Sequence, residues 1–68
     1  MTYEEATAEA KRRWGTTGMA WYFRDAIDPY RVGFLTEGDA PVYKGHSDTS
    51  WEDAFANADD PDHIAGLI

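Results

Sequence analysis

Two alternating runs decide the fold: Met19-Ala20-Trp21-Tyr22-Phe23-Arg24 and Tyr30-Arg31-Val32-Gly33-Phe34-Leu35. Residues 19–35 hold two of the four Tyr and two of the three Phe in the chain. Successive side chains of a strand point to opposite faces of a sheet, so each run predicts a strand. The segment between them, residues 25–29, contains a proline and two aspartates, which is typical of a loop.

The first strand offers two different faces to a core. We expect Met19, Trp21 and Phe23 to form the buried face, because they are its largest apolar residues. On the second strand, Val32 and Phe34 are expected on the same side. A shift of one residue would bury the opposite face instead, because the side-chain period is two.

A third strand is predicted over residues 40–44, after the turn Glu37-Gly38-Asp39. Pro41 has no backbone N–H to donate, so this strand should lie at an edge of the sheet. Gly45 is expected to end it. The three strands predict an antiparallel meander, and so small a sheet needs a helix on its apolar face.

One helix is predicted before the meander and one after it in the chain, with both packed on one face of the sheet. Thr2 and Glu5 have the spacing of a capping box, which predicts a helix over residues 3 to 14 with Gly15 as its C-terminal cap. A second helix is expected over residues 51 to 58, with either Thr49 or Ser50 as its N-cap. One more turn is expected over residues 63–65, with the apolar tail 67–68 folded back on the core.

Together these elements predict one α+β domain over residues 1–68, in the order α-β-β-β-α. At 68 residues and without cysteine, the chain has no disulfide to stabilise it, and a domain of this size buries only about 60% of its unfolded surface. Large aromatics should therefore dominate the core. The expected core residues are Trp14, Met19, Trp21, Phe23, Val32, Phe34, Trp51 and Phe55.

Charge is distributed unevenly along the chain. The net charge is −7, and acidic and basic residues balance up to Thr36. After Thr36, a single Lys44 accompanies eight acidic residues, which are Glu37, Asp39, Asp48, Glu52, Asp53, Asp59, Asp60 and Asp62. If the turn, the second helix and the tail are neighbours, these eight residues form an acidic face that attracts a basic partner protein. The plainer alternative is that they keep a small protein soluble.

A second hypothesis is that an aromatic and arginine-bearing sheet face binds single-stranded nucleic acid. Tyr22, Arg24 and Arg31 are predicted on one face of the sheet, and several single-strand binders stack bases on such faces. The alternative is an ordinary cross-strand packing pair. The net negative charge disfavours nucleic acid, because phosphate binding depends on Lys and Arg.

Catalysis and metal binding have little support in the sequence. No G-x-S-x-G elbow and no phosphate-binding Gly-rich loop is present, and the hydroxyl residues sit where helices and turns need caps. The acidic loops do not match the EF-hand pattern. We therefore expect no enzymatic activity, no cofactor and no metal.

Location and assembly follow from similar arguments. No apolar stretch approaches the roughly 20 residues that cross a bilayer, and the N-terminus does not have the pattern of a signal peptide, so we expect a soluble cytoplasmic protein without membrane contact. A three-stranded sheet has two open edges, and the chain has many aromatics for its size. A homodimer is therefore a further expectation.

Four segments resemble small α+β proteins of bacteriophages and prophages: Tyr3-Glu4-Glu5-Ala6, Arg13-Trp14-Gly15, Tyr30-Arg31-Val32-Gly33 and Ser50-Trp51-Glu52-Asp53-Ala54-Phe55. The resemblance implies a phage-type accessory protein, a class that includes inhibitors of host defence such as anti-CRISPR proteins. It carries no defined site motif, so it assigns no functional residue here. Combined with the acidic face, it predicts that the partner is a host or phage protein with a basic surface.

Overall fold

The computed structural model describes residues 1–60 and 62 and has the element order α-β-β-β-α. The strands form one antiparallel sheet in the order β1-β2-β3. The elements are α1 (Tyr3–Trp14), β1 (Gly18–Tyr22), β2 (Tyr30–Leu35), β3 (Pro41–Ser47) and α2 (Trp51–Ala58). The predicted α+β class, the meander and both helices are confirmed. The turn expected over residues 63–65 and the packing of residues 67–68 lie outside the described residues.

Local capping fixes where the helices begin. The Thr2 hydroxyl accepts the Glu5 N–H at 3.1 Å, and the Glu5 carboxylate accepts the Thr2 N–H at 2.7 Å, which completes the predicted capping box. Gly15 ends α1 with φ of 89°, a backbone conformation that glycine adopts without strain. The N-cap of α2 is Ser50, whose hydroxyl accepts the Asp53 N–H at 3.1 Å.

Both helices pack on one face of the sheet, and small residues form that contact. The buried core consists of Ala6, Ala10, Ala20, Val32, Ala54 and Phe55. A Cβ atom added to Gly18 would lie 2.3 Å from the carbonyl oxygen of Ala10, and one added to Gly45 would lie 2.1 Å from that of Ala54. The helix backbones therefore approach the strands too closely for any larger side chain at these two glycines.

The prediction that Met19, Trp21 and Phe23 face the helices is wrong. Ala20 is completely buried on the helix-covered face, whereas Phe23 is 37% exposed. Alternation fixed which residues share a face, but it did not fix which face the helices cover. The close approach of α1 decides this, because its Ala6 and Ala10 leave room for alanine and glycine of β1 and not for an indole.

The predicted core list is correct only in part. Val32 and Phe55 are buried, and Trp14 and Trp51 are partly buried against the core. Phe34 is half-buried on the helix-covered side, opposite Gly18 in the strand register. Small side chains therefore occupy most of the centre, and the large aromatics lie around it.

Strand β3 is longer than predicted. It continues through Gly45 to Ser47, and Val32 pairs with Gly45 while Gly33 pairs with Tyr43, so Lys44 is an extra, bulged residue. Gly45 does not end the strand, because its missing side chain makes room for α2. The bulge changes the register, and His46 consequently pairs with Arg31.

The two helices lie side by side and begin at the same end of the molecule. Near their starts, the N-terminal ammonium contacts the Glu52 carboxylate at 2.8 Å, and the rings of Tyr3 and Trp51 lie 5.8 Å apart. Near their ends, the rings of Trp14 and Phe55 stack at 6.0 Å. Within the part of the chain that the structure describes, no helix is long and apolar enough to cross a membrane.

Candidate functional site

The eight acidic residues of the second half lie in three places. Glu37 and Asp39 are in the turn between β2 and β3, whereas Asp48 follows the other end of β3. At about 3.3 Å per residue, the length of β3 separates that turn from Asp48 by roughly 20 Å. Glu52 and Asp53 are in the first turn of α2, and Asp59, Asp60 and Asp62 follow its last turn.

Four of these carboxylates have structural partners, and one of them is Asp60, whose Oδ1 accepts the Asp62 N–H at 2.9 Å. Glu52 binds the N-terminal ammonium, and this hydrogen bond lowers the pKa of Glu52 and raises that of the ammonium group. Asp59 contacts Arg13 at 3.1 Å. The Asp53 carboxylate accepts a hydrogen bond from the Thr49 hydroxyl next to the helix N-cap. Some of the acidic residues therefore have a structural role, because acids cap helices and are favourable near helix N-termini.

Asp60 and the remaining four acidic residues are exposed. Within residues 1–60 and 62, no ion pair joins them to a basic group; they are Glu37, Asp39, Asp48, Asp60 and Asp62. We call these five residues the unpaired acids. None of their charges takes part in an ion pair of the described residues, although the Asp60 carboxylate accepts the Asp62 N–H at 2.9 Å.

The residues predicted for nucleic-acid binding do not share a face. Tyr22 lies on the helix-covered side, where its ring is 6.5 Å from that of Trp51. Arg24 follows the end of β1 and is exposed. Arg31 lies on the opposite side, paired across the strands with Trp21. The prediction placed Tyr22 and Arg31 together because the register of the two strands was not known.

The side of the sheet away from the helices carries an aromatic cluster around Arg31. We call Trp21, Phe23, Arg31 and Tyr43 the open-face cluster. The Trp21 and Tyr43 rings meet edge to face at 5.1 Å, and the Phe23 and Tyr43 rings at 6.1 Å. The Arg31 guanidinium carbon lies 4.6 Å from the centre of the Phe23 ring and 4.9 Å from that of Tyr43. These are cation–π distances, so the rings hold the cation in place.

A polar network lies beside the open-face cluster. The Nε of Arg31 donates to the backbone oxygen of Asp28 at 3.2 Å, and the Asp28 carboxylate lies 2.6 Å from Nδ1 of His46. Arg31 is 8% exposed and His46 is 7% exposed. The loop between β1 and β2 therefore holds one end of the open face through Asp28.

Sequence reasoning missed the open-face cluster as a site, because it assigned Trp21 and Phe23 to the core. One signal was available. Ala6 and Ala10 on the first helix match Gly18 and Ala20 on the first strand in size, and small residues on both elements indicate a close contact. That match would have placed Trp21 on the other face.

The arrangement is suited to binding. Aromatic rings and a guanidinium offer stacking and ion pairing, and the unpaired acids offer charge. In the described part of the chain, no group of three or more His, Cys, Asp and Glu residues is placed to hold a metal ion.

The fold and these surfaces define a small α+β domain whose sheet has one helix-covered face and one aromatic face. Comparisons with protein-family models, with curated proteins and with solved structures each find no match to this chain. Its function is therefore argued from its own surfaces.

Proposed function

We propose that this chain is a non-enzymatic, cytoplasmic accessory protein of the phage type that binds a basic surface of a host protein and inhibits it or mimics nucleic acid. The observation that carries the proposal is the charge distribution. The whole net charge of −7 resides after Thr36, and the unpaired acids are exposed.

Charge of this kind acts mainly on association. A negative surface attracts a positive one over roughly a Debye length, about 8 Å at physiological salt. It raises the association rate and selects against acidic partners. Carboxylates on a protein surface also present negative charge as phosphates do, which is the basis of the mimicry proposal.

The contacts of Glu52 and Asp53 make them poor test positions. Reversing either charge would also disturb the start of α2 or the contact with the N-terminus. Asp48 and Asp60 are better positions, because both are exposed and neither forms an ion pair or caps a helix within residues 1–60 and 62. The one side-chain contact of Asp60 there is a local hydrogen bond from the Asp62 N–H, beyond the end of α2. The test variant is therefore the double reversal of Asp48→Lys with Asp60→Lys.

A matched control changes the net charge equally in the neutral half of the chain. Asp25→Lys combined with Ala8→Lys and Ile27→Lys gives the same formal charge change of +4; all three residues are exposed, and none lies in the first turn of a helix. A partner that responds only to overall charge would lose affinity equally for both variants. A partner that docks on the unpaired acids would lose affinity mainly for the test variant.

The measurement is capture from host lysate on immobilised protein, at low and at moderate salt. We expect a protein that is retained at low salt, released as salt rises, retained by the control variant and lost by the test variant. Capture that resists both salt and the Asp48 and Asp60 reversals would contradict the proposal. So would the absence of any captured protein.

Single-strand nucleic-acid binding stays a prediction, but its original residue set is divided between different parts of the surface. Only Arg31 of the three remains beside aromatic rings on the open face. The net charge opposes a polyanion. Oligonucleotide binding is therefore an outcome to be measured, in the experiment that concerns the open face.

A further inference from the structure

Arg31 is a nearly buried cation that has no carboxylate partner among the described residues. It is 8% exposed, yet within residues 1–60 and 62 no ion pair reaches its guanidinium. The nearest acid along the network, Asp28, directs its carboxylate to His46 and offers Arg31 only a backbone oxygen. Burying a charge is costly unless an opposite charge compensates it. Among the described residues, no negative charge compensates the guanidinium of Arg31.

The terminal nitrogens of Arg31 reach the surface. Its one hydrogen bond in the described part of the chain comes from Nε, and no buried side-chain nitrogen there is left without a partner. Nη1 and Nη2 therefore have solvent access, although the side chain is almost enclosed. The Phe23 and Tyr43 rings lie against the guanidinium, whose terminal nitrogens carry the parallel N–H donors that a carboxylate binds in a planar pair.

The surroundings of this cation are typical of a protein contact. Trp, Tyr and Arg are the residues most enriched at positions that dominate binding energy, and Phe is also enriched at interfaces. The open-face cluster holds one of each. Ring contacts within the cluster fix these side chains before a partner arrives, which lowers the entropy cost of binding.

We propose that the open face is a docking site for a protein segment that carries an Asp or Glu among apolar residues. The segment's carboxylate binds Nη1 and Nη2 of Arg31, and its apolar neighbours cover the Trp21, Phe23 and Tyr43 rings. The argument is charge complementarity at an enclosed, unpaired cation. This site goes beyond the proposed function, because it contains none of the unpaired acids and its ligand is acidic, whereas the partner in the proposed function is basic.

Two other occupants fit less well. A single-stranded nucleic acid could stack on the rings, but its phosphates would approach a chain of net charge −7 with one enclosed arginine. A second copy packed face to face would bring two Arg31 side chains and two negative chains together. Neither supplies the single carboxylate that the site lacks.

The first test selects ligands without assuming their sequence. A displayed library of random heptapeptides is panned on the full chain, with Phe23→Ala protein used for counter-selection. We expect enriched peptides that share an Asp or Glu flanked by apolar residues. No enrichment, or enrichment of peptides without a common acid, would overturn the proposal.

The second test measures the carboxylate directly. The most enriched peptide and its amide version, with Glu→Gln or Asp→Asn, are titrated against the unchanged protein by fluorescence polarisation. We expect the amide peptide to bind about tenfold more weakly or worse, because it loses a charged hydrogen bond to Arg31. Equal affinities would overturn the proposal, and this comparison does not depend on the folding of any protein variant.

Protein variants locate the site. Arg31→Met removes the charge but keeps an apolar stem, and Phe23→Ala removes one partly exposed ring. Each should weaken the acidic peptide about tenfold or more, whereas the Asp48→Lys, Asp60→Lys double variant should bind it at least as well as the unchanged chain. If Arg31→Met does not fold, Phe23→Ala still decides the location. A peptide that is insensitive to Phe23→Ala binds elsewhere, and the inference fails.

Alternative occupants are measured with the same proteins. A labelled single-stranded oligonucleotide is titrated in the same way. If it binds more tightly than the peptide and Phe23→Ala abolishes that binding, the ligand of the open face is nucleic acid and not a protein segment. If light scattering shows a dimer and Phe23→Ala dissociates it, the partner of the open face is a second copy of this chain. Lysate capture that depends on Asp48 and Asp60 but not on Phe23 would leave the proposed function standing while this inference fails.

Discussion

The two faces of the sheet differ in the size of their side chains and in how fully those side chains are buried. The helix-covered face contains Gly18, Ala20, Val32 and Gly45 and is buried by close backbone contact. The open face carries Trp21, Phe23 and Tyr43, which are larger but only partly buried. Side-chain size and burial are therefore uncoupled in this domain, because the distance between backbones decides how much room a face offers.

The aromatic face also has an internal role. Its rings pack edge to face with one another and enclose the aliphatic and cationic parts of Arg31. This reduces the apolar area that water meets, but it does not remove it. The helix-covered face therefore supplies most of the buried core, whereas the open face keeps part of its apolar area in contact with water.

The largest effect is expected when a phenylalanine is replaced by alanine in the helix-covered core and, for comparison, on the open face. Phe55 is 4% exposed and Phe23 is 37% exposed. We expect Phe55→Ala to lower the free energy of unfolding by about 3 to 5 kcal/mol, because it leaves a cavity in the core. Phe23→Ala should cost about 1 to 2 kcal/mol, because the ring is only partly removed from water. Urea titration of the three proteins measures both values.

So large a loss approaches the whole stability of a small domain, so Phe55→Ala is expected to remain only marginally folded and to unfold at a much lower urea concentration than Phe23→Ala. The circular dichroism of Phe23→Ala should resemble that of the unchanged chain. Equal costs at the two positions would show that the faces do not differ in burial as described.

A smaller effect is expected from adding one methyl group where the backbones meet. In Gly45→Ala the new Cβ would lie 2.1 Å from the Ala54 oxygen and 2.8 Å from the Ala58 nitrogen. The helix must move away, at a cost of about 1 to 3 kcal/mol. Thermal unfolding followed by circular dichroism gives the change in Tm.

Gly38→Ala is the control for that prediction. Gly38 lies in the turn between β2 and β3, its φ is not positive, and no atom would lie within 4 Å of the new Cβ. We expect it to be neutral, or to stabilise by about 0.4 to 1 kcal/mol through the unfolded state. If Gly38→Ala lowers Tm as much as Gly45→Ala does, close helix contact is not the cause.

The smallest effect concerns the exposed ion pair at the edge of the helix layer. The N-terminal ammonium lowers the pKa of Glu52 below 4.5, and Glu52 raises the pKa of the ammonium above 8.0. The Glu52 contribution is therefore present above pH 4.5 and lost as pH falls through its lowered pKa. The ammonium contribution is present below pH 8.0 and lost as pH rises through its raised pKa.

Glu52→Gln should thus lower Tm most between pH 4.5 and pH 8.0 and converge with the unchanged chain outside that range. Glu4→Gln, which alters an exposed acid of the same end without an ion pair in the described residues, is the control. Because the pair is exposed, added salt should shrink the difference. A difference independent of pH would mean that the glutamine acts through helix propensity or packing.

Much of the fold could be predicted from local signals. The Thr2 and Glu5 capping box, Gly15 and the Ser50 region fixed both helices, since caps act through hydrogen bonds between neighbours in sequence. Alternation fixed β1 and β2 to within a residue or two. Strand β3 was predicted too short, because the role of Gly45 depends on a helix that arrives later in the chain.

The sequence by itself determined the element order, the helix caps and the pairing of residues on each face. Only the tertiary structure decided which face the helices cover, and with it the identity of the core and of the candidate site. Moving a strand by one residue exchanges its faces without changing its pattern. The contact of Ala6 and Ala10 with Gly18 and Ala20 settled that choice, and it placed Trp21 and Phe23 beside Arg31 on the open face.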